Sequence, residues 1–122
     1  MLTERTTTEK RDFARPDETR EFGLGTLELL RMGGGEVGRL VLRPGWRWSE
    51  HVRPIAGTDL CEVPHFQYHL AGTLRIRTAD GEEFDATPGQ VTSLPAGHDA
   101  WVVGDEDVVI VDWGGAGTYA KP

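Results

Sequence analysis

Glycine and proline decide what this chain can become. Sixteen glycines and seven prolines in 122 residues cut it into pieces too short for long helices, since each Gly costs a helix about 1 kcal/mol and each Pro about 3. No stretch longer than one or two turns carries apolar residues at helical spacing. The segments between the breakers read as strands. Thr26 to Arg31 and Glu36 to Arg43 flank Gly33-Gly34-Gly35, a hairpin signal. Trp46 to Arg53, His65 to Ala71, Thr73 to Thr78, Glu82 to Ala86, Gln90 to Leu94, His98 to Val103 and Asp107 to Trp113 follow, set off by Gly and Pro turns. This pattern predicts an all-β, antiparallel sandwich or barrel. Val108-Val109-Ile110-Val111 is apolar on both faces, which predicts a central strand covered on both sides. The length predicts one domain over residues 11–122, behind a polar, mobile tail over residues 1–10.

Charge and cysteine content narrow the setting. The net charge is -7, and the basic residues form no run. A phosphate backbone needs a basic patch, so nucleic acid is excluded as a partner. The same acidity disfavours anionic membranes, and no apolar run approaches the ~20 residues of a span. Cys61 is the only cysteine, so no intrachain disulfide can form. Together with an N-terminus lacking a hydrophobic signal core, this predicts a cytoplasmic protein.

The chemistry lies in four histidines, His51, His65, His69 and His98. Alternation along a strand puts His65, Gln67 and His69 on one face and Phe66, Tyr68 and Leu70 on the other. Either the apolar face is the core and the histidines meet solvent, or the histidines line a lumen. The histidine face carries no full charge, whereas a solvent face here carries Arg, Glu or Asp, as in Arg75-Ile76-Arg77. That favours the lumen. The Phe66-Tyr68-Leu70 face then needs cover from the N-terminal segment or a second subunit, hence an expected homodimer. Three imidazoles from three strands could hold a divalent transition metal (Zn, Fe, Ni, Mn or Cu) and leave positions open. His51, His65, His98 and His69 are the candidate metal ligands. Arg53 is a candidate clamp for a ligand carboxylate, Gln67 a hydrogen-bonding partner, and Trp101 a pocket wall. Asp99 is read as a turn residue or a partner for His98. Cys61 is assigned to packing.

Over roughly residues 36 to 113 the chain resembles a cupin. Five residues separate Gly45 from His51, Arg53 stands at the second histidine position of the family's first motif, and His65 lies seven places before Gly72, where the family carries glutamate. Gly89, Pro95 and Gly97 match the second motif, with Ala100 at its histidine position and Gly104 at its asparagine position. His98 falls two residues early, on the same face as Ala100 if the strand is regular. The resemblance implies a jelly-roll β-barrel of two antiparallel sheets, as in small single-domain bacterial cupins, and a metal site shifted from the family's usual one. It implies no particular reaction, because the family spans enzymes and binding modules. Two functions stand open: a pocket that binds a transition metal and a small organic ligand, carboxylates included; or a metal-free module that binds or senses a small molecule.

Overall fold

A computed structural model describes residues 7–114 and 116–121. In chain order its elements are β1 (Glu18–Phe22), β2 (Gly25–Met32), β3 (Gly35–Leu42), α1 (Trp48–His51), α2 (Arg53–Ala56), β4 (His65–Ala71), β5 (Thr73–Thr78), β6 (Glu83–Ala86), β7 (Val91–Leu94), β8 (His98–Val103) and β9 (Val108–Gly114), then a 3-10 turn over Ala116–Thr118. The strands form two antiparallel sheets, one in the order β1-β2-β3-β9-β4-β7 and one in the order β6-β5-β8. The all-β, double-sheet expectation holds.

Two glycine positions explain the turns best. Met32 pairs with Gly35, and Gly33 and Gly34 between them have φ of 62° and 75°, the double positive φ of a two-residue type I′ hairpin. Gly72 (φ +74°) lies where the chain leaves the large sheet for the small one. A Cβ there would stand 2.4 Å from the carbonyl oxygen of Asp107, so only glycine lets the corner close.

Alternate residues of both sheets meet in the core: Leu27 and Leu29, Leu40 and Leu42, Leu74 and Ile76, Val108 and Ile110, all buried. Each is worth about 1.5–3 kcal/mol relative to exposure. This core holds the inward face of β4, and so the site, between two rigid layers.

The structure departs from the sequence expectation in several places. Trp46 to Arg53 is not a strand: Arg47 makes one bridge to Trp101, and α1 and α2 follow. The Asp99 carboxylate accepts the Ser49 N–H at 3.1 Å and so holds the first turn of α1. Pro54 fits the first turn of α2, and Gly57 (φ 77°) ends it. Strand β1 was not expected, since only Phe22 of its residues is buried. The central β9 is buried on one face only; Val109 and Val111 are half-buried on the other. Of the expected tail, residues 1–6 lie outside the described residues. Residues 7–10 are exposed, yet Glu9 Oε1 accepts the Gly33 N–H at 2.9 Å. Among the described residues no helix is long and apolar enough to cross a membrane.

Candidate metal centre

Strand β4 alternates as its charge placement predicts. His65, Gln67 and His69 are buried, while Phe66, Tyr68 and Leu70 face outward and exposed. From the opposite sheet, β8 turns His98 and Ala100 into the same lumen. Cys61 arrives by a backbone lock. It forms an isolated bridge with His98, its N–H reaching the His98 carbonyl at 2.8 Å while its own carbonyl accepts the Gly97 N–H at 2.7 Å. The result is a buried group, Cys61, His65 and His98, whose donor atoms lie within 4.8 Å of one another.

The distances suit a metal. Cys61 Sγ and His65 Nε2 are 3.7 Å apart; a tetrahedral zinc with ordinary Zn–S and Zn–N bonds spaces such atoms by about 3.6 Å. The ring nitrogens are also set for ligation. His65 Nδ1–H donates to Asp112 Oδ2 at 2.6 Å, and His98 Nδ1–H donates to the Pro95 carbonyl at 2.9 Å. Both rings thereby leave Nε2 as the free donor, as metal-binding histidines with a fixed second nitrogen do. Asp112, fully buried, also accepts from Gln67 Nε2 at 3.2 Å and from the Gly114 N–H at 2.8 Å. The donor set of one sulfur and two imidazoles can hold a metal ion.

Without a metal the same atoms form a coupled acid–base pair. Burial opposes a charged Cys61, but hydrogen bonds from His65 and His98 outweigh it and bring the thiol down from 9.0 to about 7. Burial also opposes a charged His65; the Asp112 carboxylate and the Cys61 sulfur overcome it and raise the ring to about 9. His69 goes the other way, lowered by burial. Tyr119 packs its ring 5.3 Å from that of His65, and burial holds its phenol neutral, far above its usual range.

Two cavities meet here. A lumen of about 20 Å³ is bounded by His65, Gln67 and His98 together with Trp46, Ile76 and Ile110. A second cavity of about 200 Å³ lies on the other side of Trp48 and Tyr119 and reaches Cys61. Tyr119 is held by the Arg20 guanidinium, which donates to the carbonyls of Tyr119 (2.7 Å), Gly117 (2.9 Å) and Ala116 (3.3 Å).

Of the other candidate residues, all but Gln67 lie apart from this cluster. His51 sits on α1, where its Nδ1 accepts the Arg47 N–H at 3.0 Å and its ring packs against Gly23; the helix turns it away from the lumen. His69 is fully buried, but its Nε2 is 2.9 Å from Thr92 Oγ1 and its Nδ1 has no partner among the described residues. Arg53 is exposed on α2, 3.6 Å from Asp59, and does not reach the pocket. Trp101 alternates outward from Ala100 and stacks beneath the Arg47 guanidinium at 4.2 Å. Asp99 serves the start of α1, not His98. Gln67 lines the lumen.

Comparison with known proteins places this architecture. No protein-family model and no curated protein sequence matches the chain. Solved structures do. A cupin-like protein from Thermotoga maritima superposes with a TM-score of 0.53 at 14% identity, over 80% of this chain and 72% of its own. The fold is that of the cupins. Ectoine synthase from P. lautus superposes with a TM-score of 0.62 at 14% identity, over 88% of this chain and 78% of its own. A protein of unknown function from Rhizobium leguminosarum bv. viciae superposes with a TM-score of 0.63 at 20% identity, over 88% of this chain and 96% of its own.

Within this cupin fold, the first-motif histidine position, His51, has left the barrel, and a cysteine from the long 54–64 connection enters it. Sequence reasoning assigned Cys61 to packing, where the structure groups it with His65 and His98, and passed over Asp112 and Tyr119. The available signals were a thiol four residues before His65, and an acid continuing the buried alternation of Val108 and Ile110. An acid on that face had to be paired.

Proposed function

We propose that this protein binds a divalent transition metal through Cys61, His65 and His98 and presents it to a small organic ligand. The observation that carries this reading is the Asp112–His65 hydrogen bond, which aims His65 Nε2 at the point faced by Cys61 Sγ and His98. A thiolate beside two imidazoles suits zinc, copper or iron better than manganese, which prefers oxygen donors. A metal held by these three residues would supply a Lewis acid. The protein's own residues do the rest. Asp112 fixes the His65 ring, apolar walls exclude water, and the neutral Tyr119 lies against His65 as a hydrogen-bonding group. A reducing compartment such as the cytoplasm suits the unpaired Cys61.

Metal analysis of protein purified without chelator, before and after reconstitution with zinc, tests the reading. Near-stoichiometric metal is expected, and its loss in Cys61→Ser and His98→Ala. Less than about a tenth of an equivalent in the reconstituted wild type sinks it, because a structured three-ligand site binds tightly.

A second reading has its own support. Cys61, His65 and Asp112 follow the thiol–imidazole–carboxylate order of an activated nucleophile, and Cys61 opens on the larger cavity. Covalent labelling of Cys61 by a small acyl donor, blocked by His65→Ala, in protein that takes up no metal, favours it over the first.

We also propose that the outer face of β4 joins a second copy of this chain. Phe66, Leu70, Val91 and Trp113 are each about half exposed there, and Arg39, opposite Val111 on the same sheet, is paired with Glu28 of the same chain. In a chain of net charge -7, this apolar patch is a surface that two copies can share with little repulsion.

A further inference from the structure

Trp46 is 2% exposed and lines the lumen together with His65, Gln67 and His98. Its Nε1–H has no acceptor among the described residues. Indole can only donate, and a buried donor left unpaired is costly enough that folds seldom keep one without use. The nearby side-chain donors are held elsewhere, His65 Nδ1 and Gln67 Nε2 by Asp112 and His98 Nδ1 by the Pro95 carbonyl, and the two histidines face Cys61 at the metal point.

We infer that Trp46 Nε1–H donates to the metal-binding end of the ligand, and that this end is a compact anionic acceptor such as a carboxylate. The inference rests on the metal reading above and names what that site accepts. Size sets one limit, because the lumen's 20 Å³ is about the space of one or two water-sized groups. Donor chemistry sets another, since an ammonium group would leave the indole N–H unpaired. Charge sets the third. A dication with one thiolate and two neutral imidazoles keeps one positive charge, and the Asp112 carboxylate is taken up by its own three donors, His65, Gln67 and Gly114. Walls such as Ile76 and Ile110 strengthen the attraction for an anion by lowering the local dielectric.

The experiment uses the full chain loaded with Co(II), whose visible bands report its ligands, and titrates it with sodium azide, sodium formate and methylamine hydrochloride. Azide and formate are expected to shift the bands saturably, and methylamine not to. Trp46→Phe is expected to weaken azide and formate binding by about tenfold or more with Co(II) affinity unchanged. A core substitution can fail to fold, so the same contact is read in the zinc-loaded wild type: the assigned indole N–H resonance of Trp46 is expected to move downfield on adding azide. Acetate and benzoate separate the two sources of such a group. Affinity that collapses with size identifies a free small anion, and affinity retained identifies the carboxylate end of a larger molecule whose body reaches the second cavity; both keep Trp46 as the donor. Stoichiometric Co(II) with an unmoved indole resonance, or with azide affinity equal in Trp46→Phe, overturns the inference and leaves the metal reading standing. Failure of the wild type to bind Co(II) removes both.

Discussion

His65 Nδ1 and Asp112 Oδ2 lie 2.6 Å apart with both side chains sealed from solvent. The strands that carry them, β4 and β9, are neighbours in the large sheet, where Gln67 pairs with Asp112. The bond therefore depends on the sheet register rather than on a mobile loop. Its consequence is directional, because a ring tied at Nδ1 offers only Nε2 to the lumen.

Asp112→Asn keeps the shape and removes the charge. An amide oxygen can still accept from His65, but it no longer raises the basicity of the ring. Zinc affinity, measured by competition with a chromogenic chelator, is expected to fall by about 10–100-fold, the usual effect of losing such a partner. Unchanged affinity would mean that His65 is not a ligand.

The thiol–imidazole pair gives the metal-free protein a distinctive pH dependence. Cys61 is lowered from 9.0 to about 7, so its contribution to stability is full above 9 and is lost as pH falls through 7. His65 is raised from 6.5 to about 9, so its contribution is full below 6.5 and is lost as pH rises through 9. The two overlap between 7 and 9, where the pair titrates as one unit. The thermal midpoint of metal-free wild type is expected to stay level across that interval and that of Cys61→Ser to fall across it. Iodoacetamide should modify Cys61 with a midpoint near pH 7 rather than 9, and bound zinc should suppress the reaction. A midpoint near 9 would show that the pair does not form.

How much of this was legible in the sequence follows from the range of each signal. The alternation His65-Phe66-Gln67-Tyr68-His69 is local, and the structure sets the uncharged face inward as charge placement suggests. The Gly33-Gly34 and Gly72 turns are local too. The helices after Trp46 were hidden, because four-residue segments show no periodicity and α1 depends on Asp99, about fifty residues away. With them went His51, Arg53 and the place of Trp101. Cys61 was hidden for the same reason: its place beside His65 and His98 depends on a bridge to His98, a long-range pairing that composition does not report. Asp112 left a faint trace as an acid on a buried apolar strand.

One side chain of β1 ties down the turn that carries Tyr119. Arg20 is about nine-tenths buried and reaches the carbonyls of Ala116, Gly117 and Tyr119. A charged donor bonded to carbonyls contributes about 1.5–3 kcal/mol per bond, though bonds sharing one residue do not add fully. Arg20→Ala is expected to lower stability by about 2–4 kcal/mol in urea denaturation. Freed of its latch, Tyr119 should cover Cys61 less of the time, so thiol modification should quicken more than global unfolding explains. Equal modification rates under native conditions would show that Tyr119 does not guard the site.

The outer sheet face makes a prediction about assembly. Tyr68 faces Val91 on one side and Val111 on the other, and the Phe66 and Trp113 rings stand 6.3 Å apart, so the apolar residues form adjacent rows rather than scattered points. A stable pair of copies needs about 1,200–2,000 Å² of buried surface, and a flat sheet face can supply it through a two-fold axis. Wild type is expected to sediment as a dimer at micromolar concentration. Phe66→Glu should sediment as a monomer, since it places two carboxylates against each other or against apolar walls in the shared face. Phe66 is 52% exposed in the single chain, so the substitution should cost the isolated monomer little, on the order of 0.5 kcal/mol. A wild type that sediments as a monomer throughout that range rules the pairing out, and a dimeric Phe66→Glu would move the contact to another face.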